Sequence, residues 1–132
     1  MAKKTKIPPQ LKFGPLPVDR INKTTGLELE PGEAVMSGNA QKHAARRHPK
    51  DYAKTQPHVA QVIASPLYIG DDARNPGKIE LVGRIPALGT GLLVAVEITP
   101  DGDGNYNITS FYPVSEKKIS DRRQKNHLLP LK

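Results

Sequence analysis

The sequence predicts an α+β domain in which two N-terminal helices are followed by an antiparallel β-meander. Three observations carry that prediction. Val59, Val62 and Ile63 stand at the spacing of one buried helical face, behind a proline, Pro57, that suits a first helical turn. From Lys78 the period changes to two. Ile79, Leu81, Gly83 and Ile85 alternate with Lys78, Glu80, Val82 and Arg84, the pattern of a half-buried strand. Asp101-Gly-Asp-Gly-Asn105 then separates two further apolar runs, as a hairpin turn does.

Taken in order, residues 1–26 hold lysines and prolines with few apolar residues in any period. They read as a basic arm or linker that is dispensable for folding, which leaves one domain over residues 27–132. Ser37 or Asn39 is placed to cap the first helix, which runs to His48 and is ended by Pro49. Asp51 to Gln56 is polar, and the helix behind Pro57 stops at Ser65-Pro66. Tyr68-Ile69 is expected to pack under a loop from Gly70 to Gly77. Leu92 to Ile98 is nearly continuous apolar sequence, as in a central strand. Tyr106 to Tyr112 is its partner, and Pro113 ends that strand or puts it at an edge. The basic tail from Ser115 is anchored by Ile119, Leu128, Leu129 and Leu131, enough for a short helix and a last strand.

Composition narrows the function. A chain of 132 residues forms one small domain, and a net charge of +7 with a pI near 9.7 calls for a polyanionic partner. RNA, DNA, a membrane surface or an acidic protein all qualify. With 5% aromatic residues, base-stacking platforms are sparse. The absence of cysteine excludes disulfides, thiolate zinc sites and thiol nucleophiles. The longest apolar run, Gly91 to Val96, is too short to cross a bilayer, so a soluble chain without membrane insertion is expected. His43 and His48 miss the i,i+4 spacing of a zinc helix, and Asp101 to Asn105 lacks the later glutamate of a calcium loop. No P-loop, dinucleotide or serine-elbow motif is present, so neither metal nor cofactor is expected.

The chemistry concentrates in Asn39-Ala-Gln-Lys-His-Ala-Ala-Arg-Arg-His48. Histidine exchanges protons near neutral pH, and arginine holds phosphate through two parallel bonds. Residues three and four apart share a helical face, so Arg46 and Arg47 flank His43, while His48 points elsewhere. A solvated helix end rich in cations gives the same pattern, since the negative end of the dipole favours them. Glu97 interrupts an apolar strand. It either faces solvent or a basic partner, or it is an inward base or arginine clamp. Thr109, Ser110 and Tyr112 are ordinary strand residues that together offer hydroxyls for a phosphate or ribose. Lys78 and Arg84 are further candidate phosphate contacts on a strand's polar face.

The succession His43-x-x-Arg46-Arg47-His48-Pro49, then Pro57-His-Val-Ala-Gln-Val-Ile-Ala-Ser-Pro66, then strands closing on Thr109-Ser-Phe-Tyr-Pro113, resembles the BECR superfamily. That group joins barnase, EndoU, the tRNA-cleaving colicins and RelE, and the likeness is nearest its phage-associated and polymorphic-toxin branches. It spans roughly Val35 to Pro113. The resemblance implies a metal-independent ribonuclease with two helices preceding a curved antiparallel sheet. Within it, His43 and His48 match the helix histidines, and Thr109 and Tyr112 match the strand-end motif. Arg46 and Arg47 match as basic positions, and Glu97 is available where a sheet carboxylate is expected. Which group is acid and which is base stays open. The implied setting is a monomeric toxin domain acting on RNA, such as tRNA, in the bacterial cytoplasm. It would arrive by secretion, as in contact-dependent inhibition, or as part of a larger protein, and an acidic immunity protein would silence it. The alternative from another class is a non-catalytic basic module, such as a phage structural or packaging protein, that holds nucleic acid by counterion release.

Overall fold

The computed structural model describes residues 7–71 and 77–132. Among the described residues the strands are β1 (Leu11–Pro15), β2 (Glu33–Met36), β3 (Tyr68–Asp71), β4 (Lys78–Ile85), β5 (Thr90–Glu97), β6 (Tyr106–Val114) and β7 (Leu129–Pro130). The α-helices are α1 (Val18–Thr25), α2 (Gly38–Arg47), α3 (Pro49–Thr55), α4 (Val59–Ala64) and α5 (Glu116–Gln124). The strands form one sheet in the order β1-β2-β6-β5-β4-β3-β7. The α+β class stands, with corrections to its elements.

Strand alternation divides the core in two. Ile79, Leu81 and Ile85 of β4 and Leu92, Val94 and Val96 of β5 face the larger cluster, which also holds Val59, Val62 and Ile63 of α4. Val82, Leu93 and Ala95 face a smaller cluster with Ile119 of α5 and Leu128. β4 is therefore covered on both sides, which its polar-looking alternate positions did not suggest. Gly83 permits the approach of α4, because a Cβ there would meet Val62 at 3.2 Å. The β5–β6 hairpin closes as expected from Asp101 to Asn105. The Asp101 carboxylate accepts from the Asp103 and Asn105 amides, both at 2.9 Å, and Gly104 takes a positive φ of 79°.

The expected arm is corrected from Leu11 onward. β1 pairs antiparallel with β2, and α1 follows directly. Phe13, Leu16, Val18 and Ile21 are buried in the larger cluster, Ile21 completely. Prolines at 15 and 17 disguised this region, yet each stands where proline is tolerated, one ending an edge strand and one just ahead of a helix. Gly26 closes α1 in the left-handed conformation. The Asn22 side chain then accepts from and donates to the Leu29 backbone, holding the loop down. Residues 1–6 lie outside the described residues.

Three further expectations change. Pro49 does end α2, but it also opens α3 over the stretch read as polar connection, because a missing N–H costs nothing at a first helical position. Tyr68-Ile69 belongs to β3 and pairs with β4. Most of that loop, 72–76, is outside the described residues. The sheet is also not a plain meander, for β2 lies parallel to β6 through Ala34–Tyr106 and Val35–Asn107. That pairing covers only the start of β6.

Candidate active site

β2 leaves the sheet at Met36, so from Ile108 onward no described strand covers the outer edge of β6. The chain turns there into α2 and α3, which pack across that edge. Between them lies a cleft of about 220 Å³ lined by His43, Ala44, Arg47, His48, Tyr52 and Thr109 to Tyr112. That is below the roughly 300–1,000 Å³ of drug-sized pockets.

Each side of the cleft has a local cause. The Ser37 hydroxyl caps α2 by accepting from the Ala40 amide at 3.1 Å, which assigns the cap to Ser37 and not Asn39. Gln41, buried, donates from Nε2 to the Met36 carbonyl at 3.1 Å and the Pro9 carbonyl at 2.8 Å. Both the end of β2 and the N-terminal segment thus hold the helix two residues before His43. His43 and Arg47 share a face at i,i+4 and both reach the cleft, whereas Arg46 is exposed outside its lining.

His48 departs from its expected direction. On a continuous helix five positions would turn it away from His43. Instead its backbone leaves the helix at φ −140°, ψ 65°, and the ring lines the same cleft. The break is bonded on both sides: the His48 amide donates to the Ala44 carbonyl at 3.0 Å and its carbonyl accepts from the Tyr52 amide at 2.8 Å. A proline at position 49 enforces this geometry.

On the sheet side a bulge sets the pattern. Ala95 pairs with Ser110 but Val96 pairs with Ile108, leaving Thr109 as an extra residue inside the cleft wall. Ile108 and Phe111 consequently both face the larger cluster, although three positions apart on a regular strand they would face oppositely. Tyr112 lines the cleft, with its ring packed against the smaller cluster.

Other candidates fall elsewhere. Glu97 is opposite Lys78 at the far ends of β5 and β4, outside the cleft. Since Val96 faces the larger cluster, Glu97 projects from the other face of the sheet from the one Phe111 shares with α3, and it is withdrawn as the partner of His43. Lys78 likewise stands outside the cleft lining. Arg84 is engaged, its guanidinium donating to both Glu116 oxygens at 2.7 and 3.1 Å.

The residue missed in the sequence is Tyr52. Its ring packs on Phe111 with centroids 5.4 Å apart, and it lines the cleft beside His48. A tyrosine four positions after a histidine, across a proline, was the available signal. Burial raises its hydroxyl above the ordinary phenol value of 10.0. A raised value in the folded state stabilises the fold below the unfolded value, and that contribution is lost as pH rises through the raised one. Tyr52→Phe should therefore lose less thermal stability than the parent between about pH 9 and 11, as followed by circular dichroism. An equal loss in both proteins would deny Tyr52 its buried setting.

Among the described residues no three histidine, aspartate or glutamate side chains gather as a metal site. The cleft offers two imidazoles, a guanidinium, a desolvated phenol and strand hydroxyls. Lys42, Lys50 and Lys54 extend positive charge along α2 and α3, against the single acid Asp51. A family model described as phage-Barnase-EndoU-ColicinE5/D-RelE like nuclease3 matches residues 12–121. Comparison with curated proteins and with solved structures gives no match.

Proposed function

The chain belongs to the family of phage-Barnase-EndoU-ColicinE5/D-RelE like nucleases, and on that premise we propose that its cleft cleaves RNA by metal-independent general acid/base catalysis. The observation that carries this reading is the meeting of His43, His48 and Arg47 against the bulged edge of β6. One histidine takes the proton of a ribose 2′-hydroxyl as its oxygen attacks the adjacent phosphorus. The other protonates the departing 5′-oxygen, so the bond to the 5′-oxygen breaks as the bond to the 2′-oxygen forms. The products are a 2′,3′-cyclic phosphate and a 5′-hydroxyl.

Arg47 bears on the charge that grows on the phosphoryl oxygens, where a fixed donor is most effective. Tyr52, whose phenol is protonated at neutral pH, donates to phosphate or ribose. Thr109 and Ser110 position the sugar at the bulge, and Tyr112 bounds the cleft. Arg46 and the lysines of α2 and α3 draw in the strand beyond the cut. An acidic protein laid over this rim would silence the enzyme, with fast capture at low salt. Such a partner fits a toxin domain that acts in a bacterial cytoplasm after delivery.

The test is incubation with total tRNA in EDTA, followed by end-group analysis. Cyclic phosphate ends are expected, and Glu97→Gln should cleave at the parent's rate because that carboxylate stands outside the cleft. Absence of cleavage across a broad RNA panel would leave a basic nucleic-acid-binding module in its place.

A further inference from the structure

On the other side of the sheet, α5 and β4 enclose a second cleft of about 480 Å³, lined by Arg84, Glu116, Ile119, Ser120, Arg123 and Gln124. Two of those residues, Arg84 and Arg123, also meet at the ring of Tyr68, which is itself buried. The Arg84 guanidinium carbon lies 5.5 Å from the centroid of that ring and the Arg123 carbon 4.9 Å. Each also donates an Nη1 hydrogen to the Tyr68 hydroxyl at 3.4 Å. The two nitrogens are thus no more than about 7 Å apart, a span that one phosphate group bridges with two ordinary N–H···O bonds.

Charge in this cleft is not balanced. Glu116 is its only carboxylate and is committed to Arg84. Arg122, the neighbour of Arg123, turns instead to Glu80 at 2.9 Å. Among the described residues Arg123 has no carboxylate partner, so two cations converge on one phenol and only Arg84 is paired with an anion. The ring contacts fix both guanidiniums in place and lower the entropy lost when an anion binds. Ser120 and Gln124, one turn apart on α5, add neutral donors to its lining.

We infer that this cleft is a second phosphate-binding site, for the backbone of the RNA whose cleavage is proposed at α2 and α3. The inference rests on that reading for its ligand but not for its geometry. A strand long enough to pass round the sheet edge engages Arg123 and Arg84 while another phosphodiester occupies the catalytic cleft. Selectivity for long or folded RNA over short fragments follows, because only the former reaches both.

The experiment is fluorescence anisotropy with a long 2′-O-methyl oligonucleotide, which binds but lacks the attacking hydroxyl, over a series of salt concentrations. Each phosphate contact to a single strand contributes about 0.7 to the slope of log affinity against log salt. Arg123→Ala should reduce the slope by about that amount and weaken low-salt affinity roughly tenfold. Ser120→Glu, at an exposed helix position that does not touch Tyr68, should weaken affinity as well and guards against misfolding of the first variant. Lys23→Ala on α1, the same charge change elsewhere, should leave the slope alone. An unchanged slope in Arg123→Ala, or an equal loss in Lys23→Ala, would overturn the site and leave its cations to diffuse attraction or a carboxylate-bearing partner. Failure of tRNA cleavage with this slope loss intact would defeat the nuclease reading and not the second site.

Discussion

His43→Ala should cut RNA turnover by about a hundred- to ten-thousand-fold, the usual contribution of one positioned proton-transfer group, while RNA affinity stays within a few-fold. Affinity is spared because the lysines and arginines of α2 and α3, not the imidazole, hold the strand. His48→Ala should have a loss of the same order, since the two rings line one cleft and the proposed mechanism puts them at opposite ends of one displacement. Because they act as a unit, the double variant should be little slower than either single one. Arg47→Ala should lower turnover and weaken binding together, as a phosphate contact serves ground and transition states alike. Single-turnover cleavage of total tRNA, paired with anisotropy on the uncleavable oligonucleotide, separates these effects. If His43→Ala kept the parent's rate, the proton would be moved by another group and the assignment would fall. With Glu97 outside the cleft, His48 is the partner that the proposed mechanism assigns.

Removing residues 1–26 should abolish the folded state. Phe13, Leu16, Val18 and Ile21 are buried in the larger cluster, and each such side chain contributes about 1.5–3 kcal/mol. Four of them amount to a large part of the roughly 5–15 kcal/mol that a domain of this kind retains. The deletion also strips β1 from the edge of β2 and removes the Pro9 carbonyl that Gln41 grips. The shortened chain should give no cooperative thermal transition, and it should be cleaved by proteases throughout rather than trimmed. A chain beginning at Leu27 that melts cooperatively near the parent's temperature would mean that the N-terminal elements only decorate the sheet. The same deletion should abolish catalysis indirectly, by freeing α2.

The parts legible in the sequence are those whose signal is local. A two-residue period marked β4, an unbroken apolar run marked β5 as central, and Asp-Gly repeats marked the hairpin that joins it to β6. Val59, Val62 and Ile63 marked α4, all three now buried. Side-chain chemistry together with the family resemblance drew attention to His43, Arg47, His48, Thr109, Ser110 and Tyr112, and the cleft brings those six to one place.

What only the tertiary structure decided are matters of direction and pairing, which no local period records. β1 and α1 are too short and too rich in proline to show a period, and are ordered by the core they close. A backbone break at His48 turned a ring that helical spacing pointed away. The bulge at Thr109 reversed the alternation of β6, and strand register placed Glu97 on the far face. Arg84 was one of several exposed cations in the sequence. Its commitment to Glu116, and its meeting with Arg123 over Tyr68, depend on α5 packing across β4, residues 32 and more positions apart along the chain. A chain specifies such contacts only through the free energy of the whole packed arrangement, so they become visible when the fold does.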